Sequence, residues 1–244
     1  MIITSELGYI EVANAILAKD NVDVNIENYN GETALVVALQ RGHIGIAEAI
    51  LAKDNVNINI KNKNGSTPLI VALEKGYTEI AKAILAKDSV DVNIKNYNRE
   101  TVLVITLQRD YIDIVETILA KDNVNVNIPD KNGNTSLIIA SGKGYTDIVK
   151  TILIKDGVNV NIQNYFDDTA LMIALRYGYT DIAKAISAKA NSDVNIQDNE
   201  ELVVASEDGY TEINNNKEEA LFSSDSRLDD SNLAGEPGVE NPIY

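Results

Sequence analysis

An all-α solenoid, a stack of short helix-turn-helix units, is the fold class this sequence predicts, and three observations predict it. Everything before Gly209 can be laid over the chain's own stretch Asn62 to Lys95 at a fixed offset of 34 residues, with one deletion near the end. The columns of that overlay hold. Thr33, Thr67, Thr101, Thr135 and Thr169 fill one, and the rings Tyr9, His43, Tyr77, Tyr111, Tyr145 and Tyr179 another. Asn25, Asn59, Asn93, Asn127, Asn161 and Asn195 fill a third. Finally, apolar residues recur twice per unit at helical spacing, over stretches too short to be stable helices alone. Self-similarity at this period marks arrays in which neighbouring units bury each other's apolar faces.

Within the unit, Thr67 suits an N-cap and Pro68 the first helical position, so a helix is predicted over Leu69 to Leu73, stopped by Gly76. Thr78 is predicted to cap a second helix, whose Ile80, Ala81, Ile84 and Leu85 form an apolar face. The column Asn21, Asn55, Ser89, Asn123, Gly157 and Asn191 suits a left-handed terminus, which predicts the end of that helix there. Val90, Val92 and Ile94 then alternate with polar residues, the period of an extended arm, and Asn64-Gly65 supplies a tight turn. The expected connection between helix pairs is therefore a β-hairpin loop.

Gly65 to Leu69 (G-x-T-P-L), the Gly76-Tyr77 pair followed by Glu79-Ile80, and Asp91-Val92-Asn93 resemble the ankyrin repeat. The resemblance spans about residues 1 to 213 and implies an ankyrin-repeat solenoid. Two departures stand out. The histidine expected after Pro-Leu is Val36, Ile70, Val104, Ile138 and Met172, and each unit carries one residue beyond the family's usual length, in the turn after the second helix. A local bulge is expected there. The tetratricopeptide array, the competing helical repeat of this length, requires a tryptophan-based pattern, and the chain has no Trp.

In order along the chain, residues 1–27 read as an N-terminal partial repeat and 28–197 as five full repeats. Residues 198–213 read as a degenerate C-terminal cap, and 214–244 as a disordered acidic tail. Leu51, Leu85, Leu119 and Leu153 are expected in one continuous core. The third full repeat is irregular. Arg99 and Asp110 stand where the other units have glycine, at positions whose left-handed backbone costs a non-glycine residue about 1 kcal/mol or more, so a softer joint is expected mid-array. Ser187 and Ser192 replace the leucine and valine of their columns and weaken the last repeat.

Composition removes several function classes. With no cysteine there is neither a disulfide framework nor a thiolate metal site. The single histidine, His43, has no second ligand or base of its kind and belongs to the ring column as a packing residue. No P-loop, H-E-x-x-H or G-x-S-x-G pattern occurs, and pairs such as Asp167-Asp168 and Asp229-Asp230 read as solvated surface. The expectation is a non-enzyme without cofactor or metal. No apolar run approaches membrane-spanning length and the start lacks a signal-peptide pattern, so the default compartment is the cytoplasm.

Binding is the class that remains, and the resemblance implies where: hairpin tips and the outer turn of each first helix line a concave face. The tip column reads Tyr29, Lys63, Tyr97, Lys131 and Tyr165, and the helix-end column Arg41, Lys75, Arg109, Lys143 and Tyr177. On a chain of net charge −16 this is a basic row with interleaved tyrosines. Tyrosine and arginine dominate binding hot spots. The same cations also suit helix C-termini, where they offset the macrodipole and stay solvated.

A protein partner is expected, not nucleic acid, because the overall charge opposes a polyanion. A monomer is expected. Residues 198 to 244 hold 13 acidic and 2 basic side chains, so most of the net charge lies beyond the repeats. The sequence closes on Asn241-Pro242-Ile243-Tyr244, similar to the Asn-Pro-x-Tyr turn read by phosphotyrosine-binding domains. With Glu240 before it, this segment also resembles tyrosine-phosphorylation sites on effectors of intracellular bacteria. That second resemblance implies an alternative role, an effector exported to a host cell.

Overall fold

In a computed structural model of the chain the described residues are 1–193. Among them are twelve α-helices and no strand. They come in pairs: α1 (Ile2–Leu7) with α2 (Ile10–Leu17), α3 (Ala34–Arg41) with α4 (Ile44–Leu51), and α5 (Pro68–Glu74) with α6 (Thr78–Leu85). Next are α7 (Val102–Gln108) with α8 (Ile112–Leu119), α9 (Ser136–Gly142) with α10 (Thr146–Leu153), and α11 (Ala170–Arg176) with α12 (Thr180–Asp193). The first helix of each pair packs on its own partner and on the first helix of the next pair, and the second helices stack likewise. Two layers result, with the core between them.

The first helices begin as predicted. The hydroxyls of Thr33, Thr67, Thr101 and Thr135 each accept the backbone N–H three residues on, at 3.4 Å, and Thr169 accepts that of Met172 at 3.2 Å. They end in a Schellman arrangement. Gly76, at φ +77°, donates its N–H to Leu73 O and Tyr77 donates to Ala72 O, which satisfies two carbonyls of the last turn. The ring column is therefore the residue just past the left-handed position. Each ring lies on the preceding unit: His43 stands over Gly8, Tyr77 over Gly42, Tyr111 over Gly76 and Tyr179 over Gly144, within 2.6 to 3.4 Å of where a Cβ would sit. His43 is a packing residue here.

Four expectations need correction. Thr78 is the first residue inside α6, not its cap; Tyr77 holds the cap position, with no side-chain acceptor, because its backbone is already committed to closing α5. The second helices stop at Leu17, Leu51, Leu85, Leu119 and Leu153, several residues before the predicted asparagine column. Within that column only Gly157 has a left-handed backbone among the described residues, since two successive tight turns, such as Lys87 N–H to Ile84 O and Val90 N–H to Lys87 O, end the helix instead. The hairpin arms do not pair as strands. Val90 and Val92 are buried as the alternation requires, but the arm is anchored by side chains, and the hairpin shrinks to one turn in which Gly65 N–H donates to Asn62 O. Lastly, α12 runs through Asp193 where the other units turn, because Ala190, a strong helix former, replaces the aspartate of Asp54, Asp88, Asp122 and Asp156.

Leu51, Leu85, Leu119 and Leu153 are buried as expected. Arg99 and Asp110 are left-handed at φ 64° and 62°, and Asp167, which the sequence reading passed over, is left-handed at φ 61° in the column of Gly31, Gly65 and Gly133. The strain at Asp110 is offset. Its carboxylate receives Lys143 Nζ and the Tyr145 hydroxyl, each at 2.5 Å. Ser187, in the leucine column, is partly exposed. Ser192, the cap at 198–213 and the tail at 214–244 fall outside the residues whose side chains are described.

Candidate functional site

The two candidate columns sit on different supports. At the tips, every unit turns through one Asx residue. Asn62 Oδ1 accepts the N–H groups of Asn64 and Ser66, and Asn28, Asp130 and Asn164 do the same in their units. Adjacent tips are then tied through the backbone: Lys63 N–H donates to Asn30 O, Tyr97 N–H to Asn64 O and Tyr165 N–H to Asn132 O, at 2.9 to 3.0 Å. Lys63, Tyr97 and Tyr165 thus have their main chains fixed while their side chains project. Tyr29, Lys63, Tyr97, Lys131 and Tyr165 are all exposed, Tyr97 at 76 % and Tyr165 at 64 %. Tyr97 and Tyr165 lean on Gly65 and Gly133 of the preceding tips, Lys63 Nζ donates to Asn30 Oδ1 at 3.0 Å, and Arg99 donates to the Tyr165 hydroxyl at 2.9 Å.

The helix-end column is engaged within the protein. Arg41 pairs with Glu6 at 2.9 Å, and Lys143 donates to Gln108 O at 3.1 Å as well as to Asp110, with its ammonium 5.9 Å from the Tyr145 ring centroid. Lys75 and Arg109 both lie close enough to Glu74 to act on its charge. The Tyr177 ring lies 6.2 Å from that of Tyr179. These cations stand at the ends of first helices, where they suit the macrodipole, but Arg41 and Lys143 are paired with acidic neighbours and do not stay simply solvated.

Between the columns runs a line of acidic and amide groups that sequence reasoning missed. Partial burial works against ionising Glu32, but hydrogen bonds with Asn28, Gln40 and Asn30 and the Lys63 charge bring its carboxyl below the usual range. Glu74 goes the other way. Desolvation first, and then the carboxylate of Glu100, itself only 7 % exposed, raise it, although the residue as a whole reaches solvent. Asn96 serves both, donating to Glu100 Oε2 at 2.9 Å and bonding Glu74. In the last unit the same two columns hold Asp168 and Arg176, which form a forked pair whose charge-assisted bonds raise the guanidinium. The signal for this line was present, since Asn28, Asn62, Asn96, Asp130 and Asn164 form an unbroken Asx column.

Asn241, Pro242 and Tyr244 lie outside the described residues. Among the described residues no helix is long and apolar enough to cross a membrane.

Comparison with known proteins agrees with this architecture. No curated protein matches the chain. Solved structures do: an ankyrin repeat protein designated EF0377 is 28 % identical, with a TM-score of 0.61, over 75 % of this chain and 94 % of its own. An ankyrin repeat domain from Acinetobacter baumannii is 28 % identical, with a TM-score of 0.62, over 77 % and 96 %. A chain from the complex of a Bdellovibrio bacteriovorus predatory endopeptidase with an immunity protein is 27 % identical, with a TM-score of 0.56, over 76 % and 95 %. Family models for ankyrin repeats match residues 1–96, 89–164 and 166–199, the same stretch in which threonine caps, left-handed helix ends and Asx turns recur. With most of its length so matched, the chain belongs to the ankyrin repeat family, whose members are protein-protein interaction modules.

Proposed function

We propose that this protein is a non-enzymatic scaffold that captures a protein partner along its row of tips, on the concave side of the array. The observation that carries this reading is the contrast between fixed main chain and projecting side chain at Lys63, Tyr97 and Tyr165, in a column where Tyr29 and Lys131 are exposed as well. Ring side chains on a preorganised backbone lose little entropy on binding, and tyrosine gives a rigid contact with a polar end. The helix-end cations Arg41 and Lys143 serve the array itself, so the tips carry the recognition and that column frames it. A similar chain comes from a complex that joins an endopeptidase to an immunity protein, which supports a protein as the kind of ligand.

The reading is tested by affinity capture with the full chain and with a Tyr29→Ala, Tyr97→Ala, Tyr165→Ala triple variant, read by mass spectrometry alongside circular dichroism. A specific partner retained by the native chain and lost from an equally helical variant is expected. Equal recovery of every partner would remove the tips from recognition.

A further inference from the structure

The sequence holds three Asn-Gly pairs, Asn30-Gly31, Asn64-Gly65 and Asn132-Gly133, each in the tip turn of its unit. Glycine after asparagine leaves the backbone nitrogen sterically free to attack the side-chain amide carbon. The three copies share a sequence and a turn: Gly31, Gly65 and Gly133 all have φ between 69° and 81°, and each donates its N–H to the Asx residue three positions back, at 2.8 to 3.1 Å. They differ in what lies above them. The Tyr97 ring covers Gly65 and the Tyr165 ring covers Gly133, both near 3 Å from a Cβ position, and both glycines are buried. Lys63 holds the tyrosine's column in the unit after Gly31, and Gly31 is partly exposed, its nearest neighbours being Lys61 O, a Glu27 carboxylate oxygen and Asn62 Cα at 3.4 to 3.6 Å from a Cβ position, with no ring among them. Lys63 Nζ donates to Asn30 Oδ1 at 3.0 Å.

We propose that Asn30-Gly31 is a site of spontaneous deamidation selected by the alternation of lysine and tyrosine at the tips. Gly31 N bonds to Asn30 Cγ, the Cγ–Nδ2 bond breaks, and the nitrogen leaves as ammonia, carrying the proton that Gly31 N gives up. Water then opens the cyclic imide at either carbonyl and leaves aspartate or isoaspartate. The Lys63 ammonium is placed to stabilise the oxyanion that develops on Oδ1 during attack, as a charge-assisted donor does. At Asn64 and Asn132 the rings hold the glycine in place, and the tip residue above is not a cation. The product puts a carboxylate against Lys63 and, in the isoaspartyl form, lengthens the backbone at the tip, which cancels the first cation of the row.

The experiment is to age the full chain in mildly alkaline buffer and follow the three peptides by mass spectrometry with isoaspartyl labelling. Conversion at Asn30 is expected several-fold ahead of Asn64 and Asn132, with the three rates converging in concentrated urea. Lys63→Ala is expected to slow Asn30 by roughly threefold to tenfold, the effect of one charge-assisted bond at an exposed site, and Tyr97→Ala to bring Asn64 up towards Asn30. Equal native rates, a lead by Asn64 or Asn132, or an order that survives in urea overturns the proposal. So does a Lys63→Ala chain that ages like the native one.

Discussion

Asn59 ties two units together with one amide: its Nδ2 donates to Ser89 O at 2.7 Å and its Oδ1 accepts Asp91 N–H at 3.0 Å. Asn25, Asn93 and Asn127 repeat the pattern at their own junctions. A shorter side chain reaches neither partner, and Asp cannot donate. Asn59→Ala is therefore expected to cost about 1 to 2 kcal/mol in urea unfolding, two net hydrogen bonds, with little change in helicity of the folded form. Glu74 gives the residue-scale prediction for pH. Its folded-state carboxyl is raised above the ordinary value of 4.5, by desolvation and then by Glu100, so the folded state holds the proton more tightly than the unfolded one. Its charge therefore destabilises the fold above the raised value, and the penalty disappears as pH falls towards 4.5. Glu74→Gln should melt higher than the native chain at neutral pH, with the gap closing on acidification. Asp110 has the opposite sign. Burial opposes its charge, but the bonds from Lys143 and Tyr145 prevail and lower its carboxyl, so its contribution is present above 3.8 and fades as pH falls through the folded value.

At the scale of the helix, what matters is whether a neighbouring unit covers the apolar face. Leu85 in α6 is buried at 1 % exposure, and Leu85→Ala is expected to cost roughly 2 to 5 kcal/mol through the cavity it leaves. The Thr67 cap bond is long, so Thr67→Ala should cost less, about 0.5 to 1 kcal/mol. A thermal scan in which Leu85→Ala were the milder change would put the core on the wrong side of α6. The same column can hold opposite outcomes. Ile3 in α1 is 71 % exposed, while Ile105 in α7, with three helix pairs before it and two after it among the described residues, is 3 % exposed. Ile105→Ala should be severely destabilising, and Ile3→Ala should change stability by less than about 0.5 kcal/mol.

Over the whole molecule, stability is a property of junctions. No helix from α1 to α11 exceeds eight residues, against the roughly 12 to 15 at which an isolated helix becomes marginal in water. A peptide of residues 62–95 should accordingly show no helical signal by circular dichroism, while the full chain unfolds in a helical transition. A folded single unit would mean that the inter-unit asparagine bonds and buried columns are not what holds the array.

Much of this was determined by sequence alone, because a repeat states the same local requirement five times. Thr67, Pro68 and Gly76 specified where a helix starts and stops through caps and left-handed backbone, which are properties of a few consecutive residues. The inward face followed from spacing within eight residues. The tertiary structure decided everything that depends on what stands in the next unit. It converted the expected strand arms into turns held by Asn59 and its equivalents, since those amides take the hydrogen bonds that a strand ladder would have used. It turned Arg41 and Lys143 from free cations into partners of Glu6 and Asp110, and made the tip tyrosines covers for some glycines and not others. A periodic sequence records which residue occupies each column and the 34-residue step between columns, but not the stacking in space that brings Lys143 onto Asp110 or leaves Ile3 uncovered, because those contacts exist only once the units are packed.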